Sequence, residues 1–155
     1  MQVEIITKPA FAVIGKEGQG TTQDGPQWIR ALWKSAVSSF KEVEPLLSGH
    51  GWGLMTSQDK WLAPWTDRGR YLAGWEVPLG TKPPDGWSVW EIPETTYAVV
   101  ECKFPIYGEV WKYMTGTYLP ENGLELTGPA HESYTPDFCD LENDPFKLLF
   151  TVTKK

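Results

Sequence analysis

The 155-residue chain contains two cysteines and two histidines, and its basic residues form no run. Each shortage excludes a class of protein. Cys102 and Cys139 are too few for a disulfide framework and lack the spacing of a metal site, so buried or spectator thiols are the simpler reading. His50 and His131 fall in separate halves, and as metal ligands they would need Glu132 or a cysteine brought beside them; no metal is expected. Fourteen basic against twenty acidic residues, a formal net charge of −6, argue against direct nucleic acid binding by phosphate neutralisation. No stretch approaches the roughly 20 apolar residues of a membrane span. Met1 to Thr7 alternates polar and apolar residues instead of forming a basic end and an apolar run, so a cytoplasmic protein with no membrane association is expected. Gly-x-Ser-x-Gly, a phosphate-cradling glycine loop and His-Glu-x-x-His are all missing.

Aromatic residues are abundant instead. Nine tryptophans are more than a core of this size needs, and Trp and Tyr concentrate where one edge meets a ligand or partner. Near the C-terminus, Glu132 and Tyr134 sit two residues apart in an apolar segment. In a strand they share one face while His131 and Ser133 point away, leaving His131 as the outward neighbour of Glu132. A carboxylate beside a phenol on a concave aromatic surface is a receptor for flat, apolar or cationic molecules.

The length suits one domain, residues 1–155. Val3 to Ile6 and Phe11 to Gly15 read as one kinked strand or two short ones. Gly15 to Gly25 reads as a loop. From Pro26, apolar residues at three- and four-residue steps (Ile29, Leu32, Trp33, Ala36, Val37, Phe40, Val43) predict a helix that stops at Pro45. Gly51 to Gln58 and Arg70 to Pro78 read as strands, the second placing Tyr71, Ala73, Trp75 and Val77 on one face. Trp87 to Ile92 and Thr95 to Phe104 are strand-like, and Tyr107 to Leu119 is a shorter helix stopped by Pro120. Leu124 to Tyr134 and Phe146 to Thr153 close the chain as strands. The order strand, helix, strand, strand thus occurs twice, in pseudo-repeats of about 1–85 and 86–155. Phe11, Ala12, Val13, Ile14 after Pro9 faintly echo Tyr97, Ala98, Val99, Val100 after Pro93. Two such units about a pseudo-twofold axis predict an α+β fold: an antiparallel sheet, two helices over it and a central cleft at the seam.

Three stretches carry a resemblance to a known family. They are Tyr71, Leu72, Ala73, Gly74 with Val77 beyond; Val110 and Trp111 through Leu119 and Pro120; and Gly128, Glu132 and Tyr134. In order and spacing they resemble the GyrI-like small-molecule-binding domain, which also serves as the effector-binding part of AraC-type and multidrug-responsive regulators. The resemblance implies a duplicated α+β domain whose central cleft binds amphipathic or cationic small molecules without a cofactor, with Glu132 at its floor. It also implies two alternatives: hydrolysis of cyclopropane-containing electrophilic toxins, as some stand-alone members perform, and a protein partner such as DNA gyrase. The chain shows no helix-turn-helix region, so transcription control by this polypeptide alone is not expected.

Glu132 and Tyr134 are accordingly the candidate catalytic residues, the carboxylate to activate water and the phenol to donate to a carbonyl gaining charge. As ligand-binding residues they are joined by Tyr71 and Trp111 as first pocket walls, with Trp75, Trp90 and Trp52 behind. Core packing is the competing explanation for each aromatic, and a solvated or internally paired residue for Glu132. An incoming cation would supply a buried Glu132 with a missing partner. The segment Trp61 to Trp65 reads as a loop exposing apolar surface, either a lid over the cleft or an oligomer contact, and a homodimer stays open as an option.

Overall fold

The computed structural model describes residues 1–155. Eight strands form one antiparallel sheet: β1 (Val3–Lys8), β2 (Phe11–Thr21), β3 (Gly51–Ser57), β4 (Arg68–Val77), β5 (Ser88–Ile92), β6 (Thr95–Cys102), β7 (Leu124–Tyr134) and β8 (Phe146–Lys154). Helix α1 (Gly25–Ser38) lies between β2 and β3. Helix α2 (Tyr107–Tyr113) runs through a π turn at Met114–Tyr118 into a last turn, α3 (Leu119–Glu121), before β7. The strand order is β1-β6-β8-β7-β3-β4-β2-β5. It reads the same from either edge when each strand is exchanged for the one four places away in the chain. The two halves meet where β3 pairs with β7, Gly53 opposite Glu132. The α+β class, the antiparallel sheet and its two covering helices agree with the sequence.

Of the two readings of the first apolar stretch, two strands is the one that holds, because Pro9 and Ala10 break it and send β1 and β2 to different neighbours: β1 pairs with β6, β2 with β4 and β5. Two boundaries differ. The glycine-rich stretch is strand through Thr21, not loop. Its glycines answer to the helix above: a Cβ at Gly18 would lie 2.7 Å from Leu32, and one at Gly20 2.6 Å from the Trp28 indole nitrogen. Their bareness lets α1 settle closely onto β2. Helix α1 itself ends at Ser38, whose hydroxyl bonds back to the Lys34 carbonyl, and single 3₁₀ turns at Phe40–Glu42 and Glu44–Leu46 carry the chain on. Val43 is nonetheless fully buried.

Strand alternation builds a core on each face. On the helix side, Val110, Met114 and Leu119 bury against Leu148, Phe150 and Val152, while Ala36 covers Tyr71 and Ala73. Each large side chain so buried contributes about 1.5–3 kcal/mol. The opposite face is closed as well. Two-residue links, Pro9–Ala10 and Pro93–Glu94, join strands on opposite flanks of the sheet, so the sheet curls and gathers Phe11, Val13, Leu54, Leu72, Ile92 and Val99 into one cluster.

That closure overturns the outward placement of His131. Its side chain points away from Glu132 but into this second core, where it is 1% exposed. Nδ1 accepts the Met55 backbone N–H at 3.1 Å, leaving the proton on Nε2, and the ring meets Tyr97 edge-on at 6.1 Å. Burial pushes its pKa down to about 3. The unfolded chain protonates this imidazole near pH 6.5 and the folded chain resists, so stability from this residue is complete above that pH and is lost as pH falls. In urea unfolding between pH 4.5 and 7.5, wild type should weaken relative to His131→Asn, which keeps an acceptor near Met55. The expected divergence is up to about 1.4 kcal/mol per pH unit below 6.5; a gap independent of pH would contradict it.

Candidate functional site

At the seam, Glu132 is 4% exposed and its carboxylate accepts three phenolic hydrogen bonds. Tyr71 of β4 donates to Oε1 at 2.5 Å, Tyr134 of β7 donates to the same oxygen at 2.6 Å, and Tyr107 at the start of α2 donates to Oε2 at 2.8 Å. Both halves of the chain therefore converge on one carboxyl group. Between β4 and β7 runs β3, and Gly53 is where they close up: a methyl there would overlap the Tyr71 hydroxyl and lie 2.6 Å from Glu132 Oε1. Glycine at this position is a condition of the Tyr71–Glu132 bond.

Trp33 of α1 forms the next layer. Its indole N–H donates to the Tyr71 hydroxyl at 2.9 Å, and its ring stands edge-on to Tyr134 at 5.4 Å and to Trp75 at 6.1 Å. Trp75 is half-buried and also meets Phe40 edge-on at 4.8 Å. On the other flank, Trp111 lies one helical turn beyond Tyr107 and packs edge-on against Phe150 at 4.9 Å. The Trp111 indole N–H is buried without a hydrogen-bond partner. Phe138 and Phe146 close the end of the seam against Tyr134, at 4.9 and 5.3 Å.

Of the residues singled out in the sequence, the fold brings together Glu132, Tyr134, Tyr71, Trp75 and Trp111. Trp52 and Trp90 are not among them. Gly51 and Gly53 face the seam, so the alternation of β3 sends Trp52 to the opposite face, where its N–H bonds Glu76 at 3.1 Å and its ring meets Phe11. Trp90 stands opposite Val13 on that same face and donates to Glu17 at 2.7 Å. The Trp61 to Trp65 segment is tied to its own chain: Trp61 stands edge-on to Trp90, and Trp65 stacks on Trp28 over Gly69. Trp33 and Tyr107 were legible only as helix residues. The spacing of Tyr107 and Trp111, four apart on one helix face, is a signal that could have added Tyr107.

No basic side chain balances the charge, because the ion pairs of the chain, Lys8 with Glu76 and Arg70 with Glu17, lie elsewhere. Burial raises the pKa of Glu132, and the phenol hydrogen bonds pull it back down. Tyr71, Tyr107 and Tyr134 are raised in turn, first by burial and then by the carboxylate. All three stay protonated and act as donors. A raised carboxyl pKa makes the folded state pay for ionisation: the penalty is absent below about pH 4.5 and complete above the folded pKa. Removing one donor in Tyr134→Phe should therefore cost about 1–3 kcal/mol near pH 8. Chemical denaturation should show a smaller loss near pH 4, and an equal loss at both pH values would contradict an ionised acceptor.

The comparisons with known proteins agree with this architecture. The chain is 28% identical over 145 residues to the transcriptional regulator BrlR of Pseudomonas aeruginosa, an alignment covering 89% of this chain and 50% of BrlR. It thus spans about half the length of the curated relative it matches. Among solved structures, the C-terminal domain of EcmrR superposes with a TM-score of 0.73 at 17% identity, covering 99% of this chain and 98% of that one. SAV2435 bound to tetraphenylphosphonium superposes with a TM-score of 0.72 at 10% identity, covering 99% and 94%. These two likenesses establish the fold. The family model for the GyrI-like small molecule binding domain matches residues 1–152, and the chain belongs to that family.

Proposed function

We propose that this chain is a single domain of two pseudo-repeats that binds flat lipophilic compounds, cations preferred, at the seam between α1 and α2, with Glu132 at the floor. The observation that carries the reading is the Glu132 carboxylate, buried among phenols and indoles with no countercharge. The phenols satisfy its hydrogen-bonding capacity but leave its net charge. A lipophilic cation adds charge compensation without competing for those bonds. Tyr71, Tyr134, Trp33, Trp75 and Trp111 then supply flat walls. Glu132 is almost fully buried, so a ligand gains access by moving a covering side chain, and Trp33, bonded to Tyr71 and edge-on to Tyr134, covers it from both halves. The tetraphenylphosphonium bound by the structural relative SAV2435 supports that class of probe.

Quenching of intrinsic tryptophan fluorescence by tetraphenylphosphonium, with triphenylphosphine oxide as its neutral counterpart, tests the charge argument. Glu132→Gln should weaken the cation by about 1–3 kcal/mol and the neutral compound less. Equal losses for both would sink it.

A second reading has its own support in the raised pKa of Glu132, which makes this carboxylate a stronger base than an exposed one. Glu132 would take a proton from water as the water oxygen bonds to a cyclopropane carbon. The breaking ring bond then sends its electron pair to a conjugated carbonyl, whose oxygen a phenol protonates or stabilises. With substoichiometric protein, a cyclopropane-bearing alkylator should yield many equivalents of a product one water heavier. Failure to exceed one equivalent would leave the protein a binder, and undiminished turnover in Glu132→Gln would remove Glu132 as the base.

A further inference from the structure

The Tyr71 hydroxyl differs in one respect from the other two phenols at the seam. Tyr107 and Tyr134 bond Glu132 alone, whereas Tyr71 donates to Oε1 at 2.5 Å and also accepts the Trp33 indole N–H at 2.9 Å. Its proton is committed to the carboxylate, so this oxygen serves any further neighbour only as an acceptor. Tyr71 is fully buried, and bulk water does not reach that oxygen.

Trp33 is the half-buried cover of this arrangement. Its ring meets Tyr134 and Trp75 edge-on at 5.4 and 6.1 Å, and the bond to Tyr71 is its one polar tie. Swinging it aside breaks that single hydrogen bond and leaves two groups to be satisfied. The indole N–H turns outward and finds water. The Tyr71 oxygen faces the arriving ligand and stays without a donor unless the ligand brings one. The place vacated by the indole nitrogen is separated from Glu132 Oε1 by two consecutive hydrogen bonds, of 2.9 and 2.5 Å, so a positive charge set there is still held by the carboxylate.

A quaternary ammonium or a phosphonium answers only the charge of Glu132, because it carries no N–H. Resting on the reading of the seam as the ligand site, we infer that Tyr71 determines specificity among cations: the seam takes lipophilic protonated amines in preference to quaternary ions of equal charge, the ammonium N–H replacing the Trp33 indole N–H on the Tyr71 oxygen. Glu132 reads the charge and Tyr71 reads the proton that carries it. The exchange keeps the number of hydrogen bonds at the seam constant as the cover opens, which a quaternary ion cannot do.

Calorimetric titration of the full chain with biphenylmethyl-dimethylammonium and biphenylmethyl-trimethylammonium, each singly charged at neutral pH, tests it. The extra methyl of the quaternary ion favours its burial, so hydrophobicity alone predicts the opposite order. The dimethylammonium ion should bind wild type about five- to tenfold tighter. Tyr71→Phe should bring the two affinities together, while Trp33→Phe, which keeps the Tyr71 oxygen, should preserve the difference. In wild type, the indole N–H resonance identified by its loss in Trp33→Phe should move on addition of either ion. Equal affinities in wild type, a preference that survives Tyr71→Phe, or an unmoved Trp33 resonance would each overturn the inference, and the second would put the N–H directly on Glu132. Those results leave the seam a cation site, whereas no binding of either ion would remove the site and the inference with it.

Discussion

One buried carboxylate without a countercharge governs the arrangement around it. Desolvating an anion costs several kcal/mol unless donors replace water, and here the replacements come from three elements far apart in sequence, β4, α2 and β7. Each donor is a phenol, which supplies one hydrogen bond and brings an aromatic ring with it. Satisfying Glu132 and building aromatic walls are therefore a single structural act. The close approach that permits it requires glycine at position 53, and the indole of Trp33 completes the layer by bonding to a phenol already committed to the carboxylate. Four side chains and a bare backbone position thus depend on one ionisable group.

Much of this was legible in the sequence and some was not, for identifiable reasons. Alternation along β7 placed Glu132 and Tyr134 on one face, and alternation along β4 placed Tyr71 and Trp75 together, because period two is a local property of a strand. Local patterns do not say which strands become neighbours. Trp52 and Trp90 are as aromatic as the others, and only the pairing of β3 with β7 and of β2 with β5 shows that they line the opposite face. The bond from Tyr107 to Glu132 spans 25 residues and that from Trp33 to Tyr71 spans 38, beyond any periodic signal.

The glycine-rich stretch misled in an instructive way. Gly15, Gly18 and Gly20 belong to a stretch that reads as a loop, yet they lie in a strand pressed by helix α1 and by its neighbour β4. Glycine marks both freedom and crowding, and composition alone does not separate them. His131 shows the same difficulty from the polar side. A histidine next to a buried glutamate is expected in water only if the second face of the sheet is open, and the curl of the sheet closes it.

The curl has a consequence for how the chain acquires its shape. The two-residue links at Pro9–Ala10 and Pro93–Glu94 hand β1 to the second half and β5 to the first, so each half completes its sheet with a strand borrowed from the other. Neither half is a self-sufficient folding unit. Contacts such as Val3 with Val100 bridge almost a hundred residues, so the loop-closure entropy of the whole chain must be met before the edges are secured. Contacts so far apart in sequence favour cooperative and comparatively slow folding. The Glu132 site, made of side chains from both halves, exists only where both have folded.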